Sequence, residues 1–255
     1  MKSALRRALV ALLTIGLALG LYKLVLLRRE AFFRQQLDAL GRWPYAHFPT
    51  EAARTLLRAK EGPGRILREA QQRPAHWREG AVRSLRGTRH SSALPVLITF
   101  SRNDPSPEVR ALAVAGLWPC ARGGSQEEQQ AALAALVDCL SDPEPPVFGA
   151  AMAQLGGCRH GVEALIRALE DARPLVRRRA AATLRDGWYD ASLCERLADW
   201  LAKAEDEYVR EQLARALGTN RDGYPYLKAY LNDANRLVRR EAQRAVTRWE
   251  GGVPK

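Results

Sequence analysis

A short phrase repeats along the chain and constrains its fold more than any other feature. The phrase is an Asp, then Val-Arg starting five residues later, an Ala four residues after the Val, and an apolar residue four residues after the Ala. Its clearest copies are 104–117, 171–184 and 233–246, and when three less regular copies are included, successive copies lie 29 to 38 residues apart. A repeat of this length is typical of a solenoid, in which small supersecondary units stack in series.

Three further copies are less regular. One has Phe148 where the Arg is expected, one takes its acid from Asp206, and the earliest replaces the Val by a Trp. The chain therefore contains about six units. We number them one to six by the Val or Trp that begins the phrase, called here the anchor residue: Trp77, Val109, Val147, Val176, Val209 and Val238.

The spacing inside each copy is helical. Val109, Ala113 and Leu117 lie four residues apart, so they share one face of a helix with 3.6 residues per turn. An apolar run precedes each of the last five copies and predicts a first helix, as at 94–98 and 162–169. No run shows the sustained alternation of a strand. The sequence therefore predicts an all-α fold built from units of helix, tight turn and helix.

The pattern Asp-x-x-x-x-Val-Arg-x-x-Ala-x-x-x-Leu resembles HEAT repeats, especially the short bacterial variety also called phycobilisome-lyase-type repeats. The resemblance covers residues 63–250. It implies an α-solenoid of about six helical hairpins in which the second helices line the concave face. It also implies an Asp–Arg ladder that ties each repeat to its neighbour. The matching ladder residues are Asp104, Arg110, Asp171, Arg177, Asp233 and Arg239, with Arg78 and Arg210 as partial matches.

The third copy departs from that family pattern. Phe148 interrupts the ladder there. We expect stacking at this repeat to depend more on apolar contact.

The N-terminal segment is strongly apolar. Residues 8–27 contain one charge, Lys23, and basic residues flank them on both sides. Twenty helical residues span about 30 Å, the thickness of the bilayer's hydrocarbon core. We predict that residues 1–29 form an uncleaved transmembrane anchor; a cleaved signal peptide and a buried core helix are the alternatives. Residues 30–62 would then be a juxtamembrane helix and a capping segment.

The charge of the short N-terminal tail suggests an orientation. Lys2, Arg6 and Arg7 precede the apolar segment and resist translocation across a membrane. We therefore predict a single-pass protein of a bacterial inner membrane with the solenoid on the periplasmic side.

The net charge of +12 comes from an excess of arginine. Arg83, Arg215 and Arg244 are each six residues after an anchor, and Arg178 and Arg240 are each two residues after one. Stacking would align them in rows that suit an acidic partner. The alternative is a solvated basic face offset by nearby glutamates. We take the candidate partner-binding residues to be Arg83, Arg178, Arg215, Arg240, Arg244, Trp118 and Trp249.

The sequence offers little for catalysis. Its four histidines are scattered without metal-ligand spacing, and we find neither a Gly-rich phosphate loop nor a nucleophile elbow. We predict a non-catalytic, membrane-tethered scaffold without a cofactor that binds another protein, an acidic one. The alternatives are an exported enzyme of the bilin-lyase type and a basic solenoid for nucleic acid or other anions. Nucleic acid is disfavoured because no recognition module is present.

The cysteines constrain the structure less than the repeats do. The four of them form no Cys-x-x-Cys pair, so buried free thiols are expected. Pairing of Cys139 with Cys158 is the alternative that an exported location would permit.

Overall fold

The computed structural model describes residues 2–41, 50–185, 187 and 189–251, with side chains described from residue 17 onward. Residues 43–49, part of the predicted capping segment within 30–62, lie outside these residues. Within them the chain forms helices and no strand. The helices are α1 (Lys2–Leu40), α2 (Thr50–Arg58), α3 (Gly62–Ala70), α4 (Ala75–Thr88), α5 (Leu94–Asn103), α6 (Pro107–Ala121), α7 (Gln126–Cys139), α8 (Pro145–Gly156), α9 (Arg159–Ala168), α10 (Pro174–Leu184), α11 (Ala191–Lys203), α12 (Glu207–Thr219), α13 (Tyr224–Leu227) and α14 (Arg236–Glu250), with short 3₁₀ turns at Ser91–Ala93 and Lys228–Tyr230.

The chain divides into two compact units, Met1–Thr88 and Arg89–Lys255. In the second unit, α5 pairs with α6, α7 with α8, α9 with α10, α11 with α12, and α13 with α14. The second helices α6, α8, α10, α12 and α14 contact one another in that order, and so do the first helices α5, α7 and α9. The predicted all-α hairpins stacked in series are therefore confirmed in this unit.

The repeated apolar stripe forms the core of the second unit. Val109, Ala113 and Leu117 of α6 are fully buried, and the matching residues of α8 and α10 are buried as completely. The small Ala in the middle of each stripe allows neighbouring second helices to pack closely. Burying each large side chain stabilises the fold by about 1.5–3 kcal/mol, so the stripe contributes substantially to the packing of neighbouring repeats.

The turn before each second helix is stabilised by its Asp. In five repeats the Asp carboxylate accepts a hydrogen bond from the backbone N–H two residues later, at 2.8 to 2.9 Å. These acids are Asp104, Asp142, Asp171, Asp206 and Asp233. Proline then begins α6, α8 and α10, where its missing N–H costs little. The Asp of the repeat is therefore first a turn residue.

One glycine lies where two second helices approach each other closely. Gly218 lies inside α12 and is buried, and among the described residues no glycine has a positive φ. A Cβ at Gly218 would lie 3.1 Å from the Cβ of Ala245 on α14. The residue therefore permits a close approach of these two helices.

The first unit contains a hairpin that the repeat pattern did not reveal. The end of α1 packs against α2, and both contact α4. Phe33, Leu37 and Leu40 of α1 are buried. In α2, Ala53 and Leu57 are buried at the same spacing as the Ala and Leu of the repeat. Part of segment 30–62 is thus a further helical hairpin.

The earlier part of α1 is different. Residues 17–32 are exposed, including Leu17, Leu19 and Leu21 at 57 to 68% of their full area. In the part of the chain that the structure describes, no helix combines the length and the apolarity needed to cross a membrane.

Candidate functional site

The ladder residues of the second repeat connect two neighbouring turns. The Arg110 guanidinium donates to both carboxylate oxygens of Asp142 in the next repeat, at 2.9 and 3.1 Å. It also donates to the backbone carbonyl of Asp104 in its own turn, at 2.9 Å. Both side chains of the Arg110–Asp142 pair are only 13% exposed. The charge-assisted hydrogen bonds that Arg110 donates to Asp142 raise the pKa of Arg110, so its guanidinium stays charged.

The later repeats make the same connection with other arginines. Arg177 and Arg239 donate to backbone carbonyls of their own turns, which differs from the expected link to the next repeat. The link from the fourth to the fifth repeat is made instead by Arg178, whose Nε donates to Asp206 at 2.8 Å. Arg210 makes the next link, to Asp233 at 2.6 Å. Arg178, a predicted binding residue, is therefore also part of the ladder.

At the first unit's repeat, Arg78 donates to the Arg73 carbonyl at 2.7 Å. This bond again fastens an arginine to the turn that precedes its own helix.

The third repeat replaces its missing arginine in another way. Phe148 occupies the ladder position, and the guanidinium of Arg179 from the next repeat lies over its ring, 3.5 Å from the centroid. Arg179 Nη1 also donates to the carbonyls of Leu140 and Asp142, at 2.5 and 2.7 Å. Burial lowers the pKa of Arg179. We predicted that stacking at this repeat depends more on apolar contact. The structure adds the contacts that Arg179 of the next repeat makes with the Phe148 ring and with two backbone carbonyls.

The other predicted binding arginines are held by glutamates. In the first unit, Arg83 pairs with Glu79 at 2.8 Å. In the second unit, three arginines gather around Glu211 and Glu241, whose side chains are 12 and 10% exposed. Those arginines are Arg215, Arg240 and Arg244.

We call Glu211, Glu241 and these three arginines the C-terminal charge cluster. The exposure of its arginines rises from 30% at Arg215 to 42% at Arg240 and 61% at Arg244. Each guanidinium has five N–H donors. The two glutamates hold the guanidinium groups of these arginines in place. The guanidinium N–H groups that the glutamates do not bind can donate to solvent or to a ligand.

The two predicted tryptophans both pack at helix ends. The Trp118 ring lies 5.6 Å from the ring of His160. Trp249 stacks on Tyr224 at 6.2 Å, and its Nε1 donates to the Gly218 carbonyl at 3.0 Å. Both side chains are half-buried. These contacts give Trp249 a clear structural role.

The sequence profile described as HEAT repeats matches three overlapping stretches, residues 66–156, 133–218 and 162–247. The chain belongs to the HEAT-repeat family. No curated protein matches the sequence.

Several solved structures are similar to this HEAT-repeat chain. Two are crystal structures of engineered proteins. The first is 19% identical over 87% of this chain and 69% of the other, with a TM-score of 0.36. The second is 20% identical over 86% of this chain and 99% of the other, with a TM-score of 0.34. The X-ray structure of YibA from Escherichia coli is 18% identical over 85% and 96%, with a TM-score of 0.29.

Two pockets flank the C-terminal charge cluster. One, of about 370 Å³, is lined by four arginines and a single acid, together with Gly218, Thr219 and Ala245. The charged lining residues are Arg185, Arg215, Arg244, Arg248 and Glu241. The other, of about 490 Å³, is lined by Arg178, Asp206, Glu207, Tyr208, Glu211 and Leu237.

Apolar residues next to the second pocket were missed by sequence reasoning. The residue just before the anchor is Leu175 in the fourth HEAT repeat, Tyr208 in the fifth and Leu237 in the sixth. Leu175 is 44% exposed and Tyr208 42%. Aligning the copies on their anchors, as we did for the arginines, would have revealed this row.

A third pocket, of about 700 Å³, lies between the first helices α7 and α9. Its lining mixes Leu133 and Val137 with Asp138, Arg167 and Arg173. Asp138 and Arg173 form an ion pair at 3.3 Å. This pocket therefore lies on the first-helix side of the second unit and shares no residue with the charge cluster.

The cysteines are thiols, and three of them are buried. Burial raises the pKa of Cys139 and of Cys194 to about 11, which suppresses the reactive thiolate. Cys158 is part-exposed, and its Sγ accepts a hydrogen bond from the N–H of Gly161 at the start of α9. Among the described residues, no group of three or more His, Cys, Asp or Glu side chains is arranged to hold a metal ion.

Proposed function

We propose that this HEAT-repeat protein is a non-catalytic scaffold that binds an acidic protein partner through the outward face of its second helices. The C-terminal charge cluster and its two pockets carry this proposal. Arginines held in place by Glu211 and Glu241 need little reordering to bind carboxylates, which lowers the entropic cost of association. Charge-assisted hydrogen bonds from guanidinium to carboxylate are also among the stronger polar contacts.

The interleaved glutamates favour a protein over a nucleic acid. Glu207, Glu211 and Glu241 lie among the arginines of the pockets. The regularly spaced phosphates of a nucleic acid would be repelled by these carboxylates. A protein can instead place neutral or basic side chains opposite them. Complementary charge patterns of this kind give specificity as well as attraction.

We further propose that the N-terminal segment tethers the scaffold to a bacterial inner membrane, with the solenoid on the periplasmic side. Residues 8–27 supply a nearly uncharged apolar run. The leucines of α1 between residues 17 and 27 are exposed, Leu17 to 68% of its full area. Extended exposed apolar surface of this kind is typical of membrane or partner contact.

Capture of the partner from cells tests the scaffold role. The full-length chain is crosslinked in intact cells, purified and analysed by mass spectrometry, beside a variant in which Arg215, Arg240 and Arg244 are replaced by Glu. We expect the native chain to capture one protein complex and the variant to lose it.

A matched control distinguishes the effect of the net charge from the effect of where the charges lie. Replacing Arg167, Arg196 and Lys203 by Glu makes the same change in net charge on exposed positions of α9 and α11. This control should retain the partner. Equal loss in both variants would show that only net charge matters and would overturn the assignment of the binding face.

The tether has its own test. A C-terminal reporter that is active only in the periplasm should be active, and the chain should sediment with membranes after a carbonate wash. Release of the chain by the wash would contradict an integral anchor.

A further inference from the structure

The first unit joins the apolar N-terminal segment without a linker. Helix α1 is continuous over Lys2–Leu40, so the apolar run 8–27 and the buried residue Phe33 belong to one helix. Phe33 lies six residues after Leu27, which is about 9 Å along the helix axis. The packed part of the first unit therefore begins close to the end of the apolar run.

Ion pairs place α3 alongside α1 in a definite direction. The pairs are, in chain order, Arg29 with Glu61, Glu30 with Arg65, and Asp38 with Arg73. Residues further along α1 thus pair with residues further along the segment that contains α3. The Arg65 guanidinium also lies over the Phe33 ring, 4.5 Å from the centroid. Helix α3 therefore extends away from the apolar run, and its first residues lie nearest to that run.

The residues that join α2 to α3 form the end of this segment nearest to the apolar run. Helix α2 ends at Arg58 and α3 begins at Gly62, and we call residues 58–62 the α2–α3 turn. Its Glu61 bonds Arg29, which lies two residues after the apolar run ends. If that run crosses a bilayer, the turn lies in or next to the headgroup layer, which is about 6 Å thick on each side.

The charges at this turn favour an anionic lipid headgroup. Both nearby acids, Glu30 and Glu61, are bonded by Arg65. Arg58 and Lys60 are exposed, and neither forms an ion pair within the part of the chain that the structure describes. Exposed basic side chains beside a membrane segment are attracted to anionic phospholipids.

We propose that the α2–α3 turn lies on the membrane surface and that Arg58 and Lys60 bind the phosphate groups of anionic phospholipids. The proposal rests on the proposed membrane tether. It adds the surface of the first unit that faces the bilayer and the lipid chemistry that this surface recognises. Near an anionic membrane each Lys or Arg contributes about fivefold in affinity.

Photo-labelling from the lipid tests the position of the turn. The full-length chain is reconstituted in phosphatidylcholine vesicles that contain an anionic phospholipid with a photoreactive headgroup, and labelled peptides are identified by mass spectrometry. We expect label on residues 58–62 and on Arg28. We expect none on residues 71–74, because Asp38, the partner of Arg73, lies about 14 Å further along α1 than Arg29. Label on Arg28 without label on the turn would overturn the proposal.

Variants test the chemistry of the contact. Arg58→Ala and Lys60→Ala should each lower labelling of the turn by the anionic lipid about fivefold. Arg68→Ala is the matched control, because it removes one charge from an exposed position further along α3. It should be labelled as the native chain is.

A second lipid separates proximity from recognition. Photoreactive phosphatidylcholine carries no net charge, so it should label the turn equally in the native chain and in both variants. Labelling by the anionic lipid that neither Arg58→Ala nor Lys60→Ala reduces, or that Arg68→Ala reduces equally, would refute phosphate binding by the turn.

The outcome is separable from that of the membrane tether. A chain that resists the carbonate wash but has no label on the turn would contradict this contact and leave the tether standing. A chain that the wash releases, yet whose turn is labelled by the anionic lipid and loses the label in Lys60→Ala, would support the contact and contradict the integral anchor.

Discussion

The second helices at the two ends of the second unit have similar buried faces and different outward faces. Both ends keep apolar residues at the anchor and at the positions four and eight residues after it, but their outward positions differ. Two and six residues after the anchor, α6 and α8 have only small residues: Ala111, Ala115, Gly149 and Ala153. At the same positions α12 and α14 have only charged residues: Glu211, Arg215, Arg240 and Arg244.

This difference distinguishes the residues that stabilise the fold from the residues that are available for binding. Stacking requires the inward stripe, so every repeat keeps it. The outward positions are not part of the stripe and can serve a ligand; within the second unit only the last two repeats carry charge at both positions, and the fourth carries it at one, Arg178. In a repeat protein, function therefore has to be argued from the outward residues of particular repeats rather than from the fold.

The largest predicted effect comes from the stripe itself. Leu155 of α8 and Leu217 of α12 are both fully buried, so Leu155→Ala and Leu217→Ala should each lower the free energy of unfolding by about 2–5 kcal/mol. Urea unfolding measures both. A cost confined to one of them would contradict the claim that stacking is equivalent at the two ends.

The ladder should matter less than the stripe. Arg110→Ala leaves the Asp142 carboxylate, only 13% exposed, without its bidentate partner. Losing hydrogen bonds to a charged group should cost about 1.5–3 kcal/mol. Thermal unfolding of this variant is compared with that of Arg196→Ala, an exposed arginine on α11. A ladder that contributes nothing would give the two variants the same midpoint.

The Phe148–Arg179 contact is expected to contribute a smaller amount. Phe148→Leu keeps an apolar side chain of similar kind and removes the ring beneath the guanidinium. A cation–π contact is worth about 0.5–2 kcal/mol, so the variant should lose about 1 kcal/mol in urea unfolding. In an Arg179→Ala background Phe148→Leu should cost less. Additive losses in the double variant would show that the two side chains do not interact.

The smallest effect contrasts two glycines. A Cβ added at Gly149 of α8 meets nothing within 4 Å, whereas one at Gly218 of α12 lies 3.1 Å from Ala245. Gly149→Ala should therefore stabilise the protein by about 0.5–1 kcal/mol through helix propensity. Gly218→Ala should gain nothing or destabilise it. Equal gains at both sites would mean that α12 and α14 are less closely packed than the structure indicates.

Much of the fold could be predicted because the apolar residues of the core recur at the same positions in successive copies of the phrase. Ala113 and Leu117 are separated by one helical turn and carry no polar atoms, so their burial follows from periodicity alone. Arg110 could be assigned to the ladder because its partner belongs to the same repeated phrase.

The remaining features depend on contacts between neighbouring repeats. Arg179 replaces the arginine that Phe148 displaces, and only stacking brings these residues together. The repeat pattern assigns the ladder to Arg177, yet its neighbour Arg178 makes the link to Asp206, because the link depends on how the fourth and fifth repeats stack. The hairpin of α1 and α2 was missed because its copy of the phrase keeps Ala53 and Leu57 without the Val-Arg pair.

The most direct test of the account places a photo-crosslinking amino acid at matched outward positions in cells. The positions are Ala111 and Gly149 on α6 and α8, and Glu211 and Arg240 on α12 and α14, each two residues after its anchor. Adducts with the partner are then compared by mass on denaturing gels. We predict adducts from the two C-terminal positions and none from the other two; adducts of equal yield from all four, or from α6 and α8 alone, would contradict the proposed binding face.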